Sequence, residues 1–182
     1  YSSIATTGWR YGQSLEDMVA AARQTFPNKG YADVNLCISH NKRIAINARI
    51  QMAKRPRDAL FLPAVKTGAA NEAQDMYIYE GLVVTAVLDG KAKNKIYNAQ
   101  LLRVTGVDDT HIALRCAEGG QDYLVTHAWA QRCLRLAHSI VYSAIQARTV
   151  ALWDTGHRRF SRRMLCMGMS RATAAHKVWI AD

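Results

Sequence analysis

The sequence predicts an α/β fold with a parallel sheet, interrupted by a small antiparallel β-barrel. Strand, turn and helix patterns occur at both ends of the 182-residue chain, and closely spaced β-like runs fill its middle. The length suits a single domain with an insertion, and 49% hydrophobic with 21% charged residues is ordinary for a globular protein. No apolar run is long enough to cross a bilayer, so we expect no membrane partner.

The first part of the chain has the pattern of a helix followed by a strand–turn–helix unit. Ser14 and Asp17 have capping-box spacing and predict an amphipathic helix that ends near Phe26. The largely apolar run from Asp33 to Ser39 predicts a buried strand, and Asn41 to Lys54 predicts the next helix. A unit of this kind is typical of an α/β sheet.

The turn between that strand and helix is a candidate anion site. Ser39 and His40 lie where the strand ends and the helix begins, and free amides with the helix dipole favour anions at such a place. Ordinary N-capping of the helix by Ser39 or Asn41 is the alternative.

A change of pattern after Lys54 marks the predicted insertion. The segment from Lys54 to Gln74 contains two prolines and small polar residues, which indicate a connection. Four β-like runs then predict a barrel or meander, namely residues 81–88, 95–107, 110–116 and 122–127. We place the first α/β segment at residues 1–78, the insertion at 79–130 and the second α/β segment at 131–182, where a helix over 160–172 precedes a last strand.

The charge is strongly positive and unevenly distributed. The formal net charge is +10, and residues 131–182 contain nine Lys or Arg against two acidic residues. Such a surface suits binding to a phosphate backbone. A solvated basic face that maintains solubility is the alternative.

The cysteines and histidines do not predict a metal site. No cysteine pair has zinc-site spacing, and the six histidines show no helical pairing. We interpret the cysteines as reduced core residues in a reducing compartment; they are Cys37, Cys116, Cys133 and Cys166.

Arg171 is unusual because it lies within a small, apolar, Met-rich run from Met164 to Ile180. An arginine keeps its charge and is rarely buried without an anionic partner. The partner is either a carboxylate of this chain, Asp154 or Asp182, or an anionic ligand.

Several blocks together resemble superfamily 1 helicases of the RecD/Pif-like branch. Arg162 to Thr173 resembles the last helicase motif, and Trp9 to Gly12 resembles an aromatic-arginine element near the start of the second motor domain. Leu136 to Thr149 is similar to the next-to-last motif. Lys95 to Asp109 looks like the entry of the SH3-like barrel that these helicases insert in their second RecA-like domain.

The resemblance implies a RecA-like second motor domain and assigns roles to three residues. In that family the arginines that match Arg10 and Arg171 reach the γ-phosphate of ATP across the cleft between two RecA-like domains, where a guanidinium stabilises the transferring phosphoryl group. The glutamine that matches Gln146 couples the nucleotide cleft to the nucleic-acid groove.

The nucleotide machinery is incomplete in this sequence. No Gly-x-x-x-x-Gly-Lys-Ser/Thr loop occurs, and no Asp-Glu pair follows an apolar strand. We therefore expect ATP and Mg²⁺ to be bound mainly by a preceding RecA-like domain of the same polypeptide, and this chain alone to be inactive as an ATP hydrolase.

The resemblance also implies contact with single-stranded DNA or RNA. Val141 and Ala147 are among the departures from the next-to-last motif, which remove groups that normally touch the strand and leave that contact open. Residues able to substitute are Ser143, Arg148, Ser39, His40 and Lys42.

The predicted function is that of the carboxy-terminal motor half of an ATP-dependent helicase, similar to those of large DNA viruses and mobile elements. One alternative is a non-catalytic nucleic-acid-binding or scaffold protein with a degenerate helicase-half fold. Another is a basic barrel protein that binds RNA. We expect the protein in the nucleus, the cytoplasm or a viral replication site.

Overall fold

A computed structural model describes most of the chain. The described residues are 12–26, 32–66, 73–88, 95–117, 119–141, 149–172 and 177–181. The helices in these ranges are α1 (Leu15–Thr25), α2 (His40–Lys54), α3 (His127–Cys133) and α4 (Arg162–Met169). The strands are β1 (Val34–Cys37), β2 (Leu60–Leu62), β3 (Met76–Ile78), β4 (Val83–Ala86), β5 (Leu101–Val107), β6 (His111–Cys116), β7 (Asp122–Thr126), β8 (Leu134–Leu136), β9 (Ser139–Val141), β10 (Val150–Leu152) and β11 (Val178–Ile180).

The chain divides into two compact units. The first contains residues 1–46 and 139–182, and the second contains residues 47–138. The second unit includes the predicted insertion of 79–130 and extends beyond it, because β8 pairs with β4 and the second half of α2 contacts β3. The three predicted segments, 1–78, 79–130 and 131–182, stay a prediction.

The first unit is built on a four-stranded parallel sheet in the order β11-β10-β1-β9. Every residue of β1, β10 and β11 is buried, as expected for parallel strands covered on both faces. The capping box of Ser14 and Asp17 forms at the start of α1, where Asp17 N–H donates to Ser14 Oγ at 3.1 Å. The predicted α/β fold with a parallel sheet is confirmed.

The strand order creates a crevice at the carboxyl ends of β1 and β10. The chain leaves β1 to return as β9 on one side, whereas it leaves β10 through α4 to return as β11 on the other side. Adjacent parallel strands whose connections depart in opposite directions leave an opening at their carboxyl ends, which is the usual ligand position in such sheets. The predicted turn of Ser39 and His40 lies here.

The second unit contains a five-stranded antiparallel sheet in the order β7-β6-β5-β4-β8. Strands β5, β6 and β7 alternate buried with more exposed residues, and Leu102, Val104, Ile112 and Leu114 are among the fully buried side chains. Strands β4 and β8 are buried along nearly their whole length. The register shifts between Val104 and Gly106, which marks a bulge in β5. The antiparallel insertion is present, and its closure into an SH3-like barrel stays a prediction.

Two buried polar side chains fasten α2 within the second unit. Asn47 Nδ2 donates to Leu136 O at 3.2 Å and to Gln74 Oε1 at 3.3 Å. Gln51 accepts from Tyr77 N–H at 2.7 Å and donates to Asp75 O at 3.2 Å. Buried amides of this kind fix the register of a helix because a slip would leave them unsatisfied.

No helix in the described ranges combines the length and apolar character that a bilayer crossing requires.

We expect the stability of the fold to depend on the protonation of His138. Burial, followed by the charge of Lys54, lowers the pKa of His138 from 6.5 to about 4. The unfolded chain then binds a proton that the folded state does not, so the free energy of unfolding should fall as the pH drops from about 6.5 to about 4. Urea unfolding across this range should show a shallower pH dependence for His138→Gln than for the wild type. An equal pH dependence of the free energy of unfolding in the two proteins would contradict its assignment to His138.

Candidate functional site

The crevice after β1 and β10 is organised by the carboxylate of Asp154. Its Oδ2 accepts hydrogen bonds from the Ile38 N–H at 2.8 Å and from the Ser39 N–H at 3.2 Å. Asp154 has a φ of 61°, a left-handed conformation that Asp tolerates better than most residues. One amide of the predicted anion site, that of Ser39, is therefore occupied by a side chain of the chain itself.

Ser39 is the N-cap of α2. Its Oγ accepts a hydrogen bond from the Lys42 N–H at 3.0 Å, and its carbonyl accepts one from the Arg43 N–H at 3.0 Å. The N-capping alternative for Ser39 is thus realised in the structure. A contact of Ser39 with nucleic acid stays a prediction.

Lys42 extends from the first turn of α2 over the crevice. Its Nζ lies 4.9 Å from the centroid of the Trp153 ring and 4.0 Å from Asp154 Oδ1, and its side chain is 38% exposed. Trp153 is fixed in turn by donating its Nε1–H to Asn35 Oδ1 at 2.9 Å. The Lys42 half of this ion pair is exposed, whereas the Asp154 side chain is 11% exposed. At 4.0 Å the pair is at the limit of salt-bridge distance, so the ammonium group is able to contact a phosphate as well.

His40 adds a buried ring nitrogen to the same crevice. Its Nδ1 is buried and has no hydrogen-bond partner among the described residues. Burial, followed by the nearby Arg43 guanidinium, lowers the pKa of His40, so its ring is neutral at neutral pH. A neutral imidazole with a free buried nitrogen can donate or accept one hydrogen bond.

Arg171 follows the end of α4 and has an incompletely satisfied guanidinium. Its backbone N–H donates to Gly168 O at 3.2 Å, and its Nε is buried with no hydrogen-bond partner within the described ranges. The alternative salt bridge to Asp154 is not formed, because Asp154 binds the Ile38 and Ser39 amides and lies beside Lys42. The other alternative partner, Asp182, lies outside the described residues. A buried polar group without a partner often marks a place that a ligand completes.

The structure places Arg171 apart from the crevice residues. The connection through α4 runs from the carboxyl end of β10 to the amino end of β11, and Arg171 lies late in that connection. Ser39, His40 and Lys42 lie at the carboxyl ends of the strands. The remaining predicted site residues, Arg10, Ser143, Gln146 and Arg148, lie outside the described residues.

A group of exposed arginines near the start of α4 contributed to the predicted positive charge but was not predicted as part of a site. Two lie in the loop after β10 and two lie in the first turn of the helix, which contains no acidic residue. Cations at a helix N-terminus oppose the helix dipole, so this placement is not favoured by helix stability alone. Their proximity in sequence to Asp154 and Trp153 is the signal that a site prediction could have used; they are Arg158, Arg159, Arg162 and Arg163.

Within the described ranges the side chains suit phosphate binding better than metal binding. They contain no group of three or more His, Cys, Asp or Glu side chains able to hold a metal ion. The four cysteines are free, with Cys37 buried and the other three partly buried. The Arg171 guanidinium and the arginines near α4 fit phosphate oxygens.

Solved structures of helicases share this fold. A structure of two coordinating Pif1 helicases that unwind forked double-stranded DNA is similar with a TM-score of 0.65 and 15% identity, over 92% of this chain and 43% of that one. Bacteroides Pif1 in complex with ADP-AlF3 and ssDNA gives 0.63 and 13% over 93% and 46%. Candida albicans Pif1 gives 0.58 and 13% over 100% and 53%. No family model and no curated protein matches the chain.

The fold is therefore that of a RecA-like helicase motor domain. More specifically, it is the fold found in Pif1 helicases, and the predicted resemblance to superfamily 1 helicases of the RecD/Pif-like branch is confirmed at the level of the fold. The chain spans about half the length of these solved structures.

Proposed function

We propose that this chain is the carboxy-terminal motor half of an ATP-dependent nucleic-acid helicase. The observation that carries the proposal is the likeness of more than nine-tenths of the chain to Pif1 structures in which a helicase is bound to ssDNA. In this proposal the antiparallel sheet of the second unit corresponds to the SH3-like barrel that these helicases insert. The first RecA-like domain, in the same polypeptide, supplies the phosphate loop and makes most of the contacts to ATP and Mg²⁺.

In this proposal Arg171 contributes to ATP hydrolysis from across the interdomain cleft. The buried Nε, which has no partner in the described part of the chain, supports this role, because a γ-phosphate oxygen would satisfy it. A guanidinium held in place before the reaction stabilises the charge that spreads over the phosphoryl oxygens in the transition state. Arg10 is proposed to act beside it, and Gln146 to couple the nucleotide to the strand.

The crevice residues are proposed to form part of the single-strand groove. Lys42 contributes a cation beside the Trp153 ring, and His40 contributes a neutral hydrogen-bonding group. Ser39 acts mainly through the cap that positions Lys42. Ser143 and Arg148 are proposed to complete the groove, with single-stranded DNA or RNA as the partner.

Lys42→Ala is expected to weaken single-strand binding severalfold and to lower the salt slope of log K by about one unit. The reason is that one phosphate contact disappears together with the counterion that it releases. Fluorescence anisotropy with short DNA and RNA strands at several salt concentrations measures both quantities. Arg132→Ala, which removes an exposed cation of α3 in the second unit, serves as the control. Equal slopes for Lys42→Ala and the wild type would remove Lys42 from the groove.

A non-catalytic nucleic-acid-binding or scaffold protein is the second candidate function. The observation that favours it is the Asp154 carboxylate, which occupies two amides that an anionic ligand would otherwise use. ATP turnover by a polypeptide that joins this chain to a first motor domain separates the two functions, since only the motor hydrolyses ATP. The free cysteines support location in a reducing compartment under either function.

A further inference from the structure

An aromatic pair, of which Phe61 is exposed and Tyr77 half-buried, lies on the outer face of the β2–β3 ladder. Phe61 and Tyr77 are directly opposite each other in the antiparallel register, with ring centroids 5.0 Å apart and ring planes inclined by 40°. Phe61 is 47% exposed, although its neighbour Leu62 and the opposing Met76 are buried on the other face. The ladder therefore uses one face for the core and presents two aromatic rings on the other.

An arginine covers one of the two rings. The Cζ atom of Arg55 lies 3.9 Å from the centroid of the Tyr77 ring, which is a cation–π contact. The contact is held in register by Gln51, one helical turn earlier, whose side chain accepts a hydrogen bond from the Tyr77 N–H at 2.7 Å. Arg55 makes no ion pair with a carboxylate in the described part of the chain. The guanidinium is therefore positioned and available for an anion.

The charge around the ring pair is positive on the helix side. Residues 47–58 contain four Lys or Arg and one acidic residue, the exposed Asp58. Lys54 and Arg57, on either side of Arg55, are exposed. The neighbouring carboxylate of Asp75 is already engaged, since its Oδ1 accepts the Ala64 N–H at 2.8 Å.

We propose that Phe61, Tyr77 and Arg55 form a stacking platform for the bases of single-stranded nucleic acid, in a unit of the chain separate from the Lys42 crevice. Single-strand sites combine aromatic rings, on which bases stack, with cations that contact the phosphates between them. The open face of Phe61 receives a base, while Arg55, Lys54 and Arg57 contact the backbone. This inference goes beyond the proposed motor function and does not depend on ATP turnover.

The test compares Phe61→Ala with Tyr97→Ala in the full chain. Both substitutions remove an exposed aromatic ring of the second unit, Tyr97 being 65% exposed, so neither should unfold the protein. Fluorescence anisotropy is measured with short DNA and RNA strands and with an abasic DNA strand that keeps the phosphates. We expect Phe61→Ala to weaken binding to the base-containing strands by about fivefold or more. Tyr97→Ala should change it little, and Phe61→Tyr should retain most of the affinity.

The abasic strand identifies the physical origin of the contact. Without bases the stacking contribution is absent, so Phe61→Ala and the wild type should bind the abasic strand equally. An equal loss on both kinds of strand, or no loss on either, would overturn the platform, and the latter would direct attention to a protein partner for this surface. If Lys42→Ala weakens binding while Phe61→Ala does not, the platform fails and the proposed motor groove stands. If only Phe61→Ala weakens binding, the platform stands without the groove.

Discussion

In a polypeptide with both motor domains, Arg171→Ala is expected to reduce ATP turnover by about a thousandfold or more while ATP binding changes little. The reason is that a positioned guanidinium acts mainly on the charge of the transition state rather than on bound ATP. Steady-state hydrolysis and equilibrium binding of a fluorescent ATP analogue measure the two quantities separately. Unchanged turnover would remove the role assigned to Arg171.

Matched variants separate a chemical role of Arg171 from a structural one. Arg163→Ala removes an exposed arginine of α4, the helix that precedes Arg171, and we expect it to leave turnover nearly unchanged. Arg171→Lys keeps the charge without the planar fork and should restore little activity. Because Arg171 Nε is buried without a partner among the described residues, Arg171→Met should not lower the melting temperature. A large fall in melting temperature would indicate a structural role instead.

Much of the first unit was predictable because its signals are local in sequence. The capping box of Ser14 and Asp17, and the apolar run that became β1, depend on residues close together in the chain. The predicted helix over 160–172 is present but shorter, from Arg162 to Met169, since Ser161 caps it and Ser170 ends it. The parallel pairing of the strands followed from the α/β pattern.

Features that depend on contacts distant in sequence could not be predicted from local patterns. The segment from Lys54 to Gln74 was interpreted as a connection, yet it contains β2, whose partner β3 lies beyond it. The short helix α3, capped by Thr126, follows directly on β7 and was also missed. Asp154 was considered only as a partner of Arg171, because nothing in its local sequence indicates the Ile38 and Ser39 amides, more than a hundred residues away.

Asp154→Ala is expected to lower the free energy of unfolding by about 2–4 kcal/mol. Two part-buried backbone N–H groups, of Ile38 and Ser39, would lose a charged acceptor at 2.8 and 3.2 Å. Ala would also have to adopt the φ of 61°, which Asp and Asn tolerate better. Urea unfolding measures the change as a shift of the midpoint at constant slope. Asp109→Ala removes an exposed carboxylate of the second unit and should change stability by less than about 0.5 kcal/mol.

Asp154→Asn distinguishes the stabilising role of the carboxylate from its effect on ligands. Asn keeps one acceptor oxygen and tolerates the left-handed conformation, so the loss of stability should be smaller than for Ala. At the same time the variant removes a negative charge 4.0 Å from the Lys42 ammonium group. If the crevice contacts phosphates, single-strand affinity should therefore rise although stability falls. A parallel fall in both quantities would mean that Asp154 only maintains the fold, and that the crevice is not part of the nucleic-acid groove.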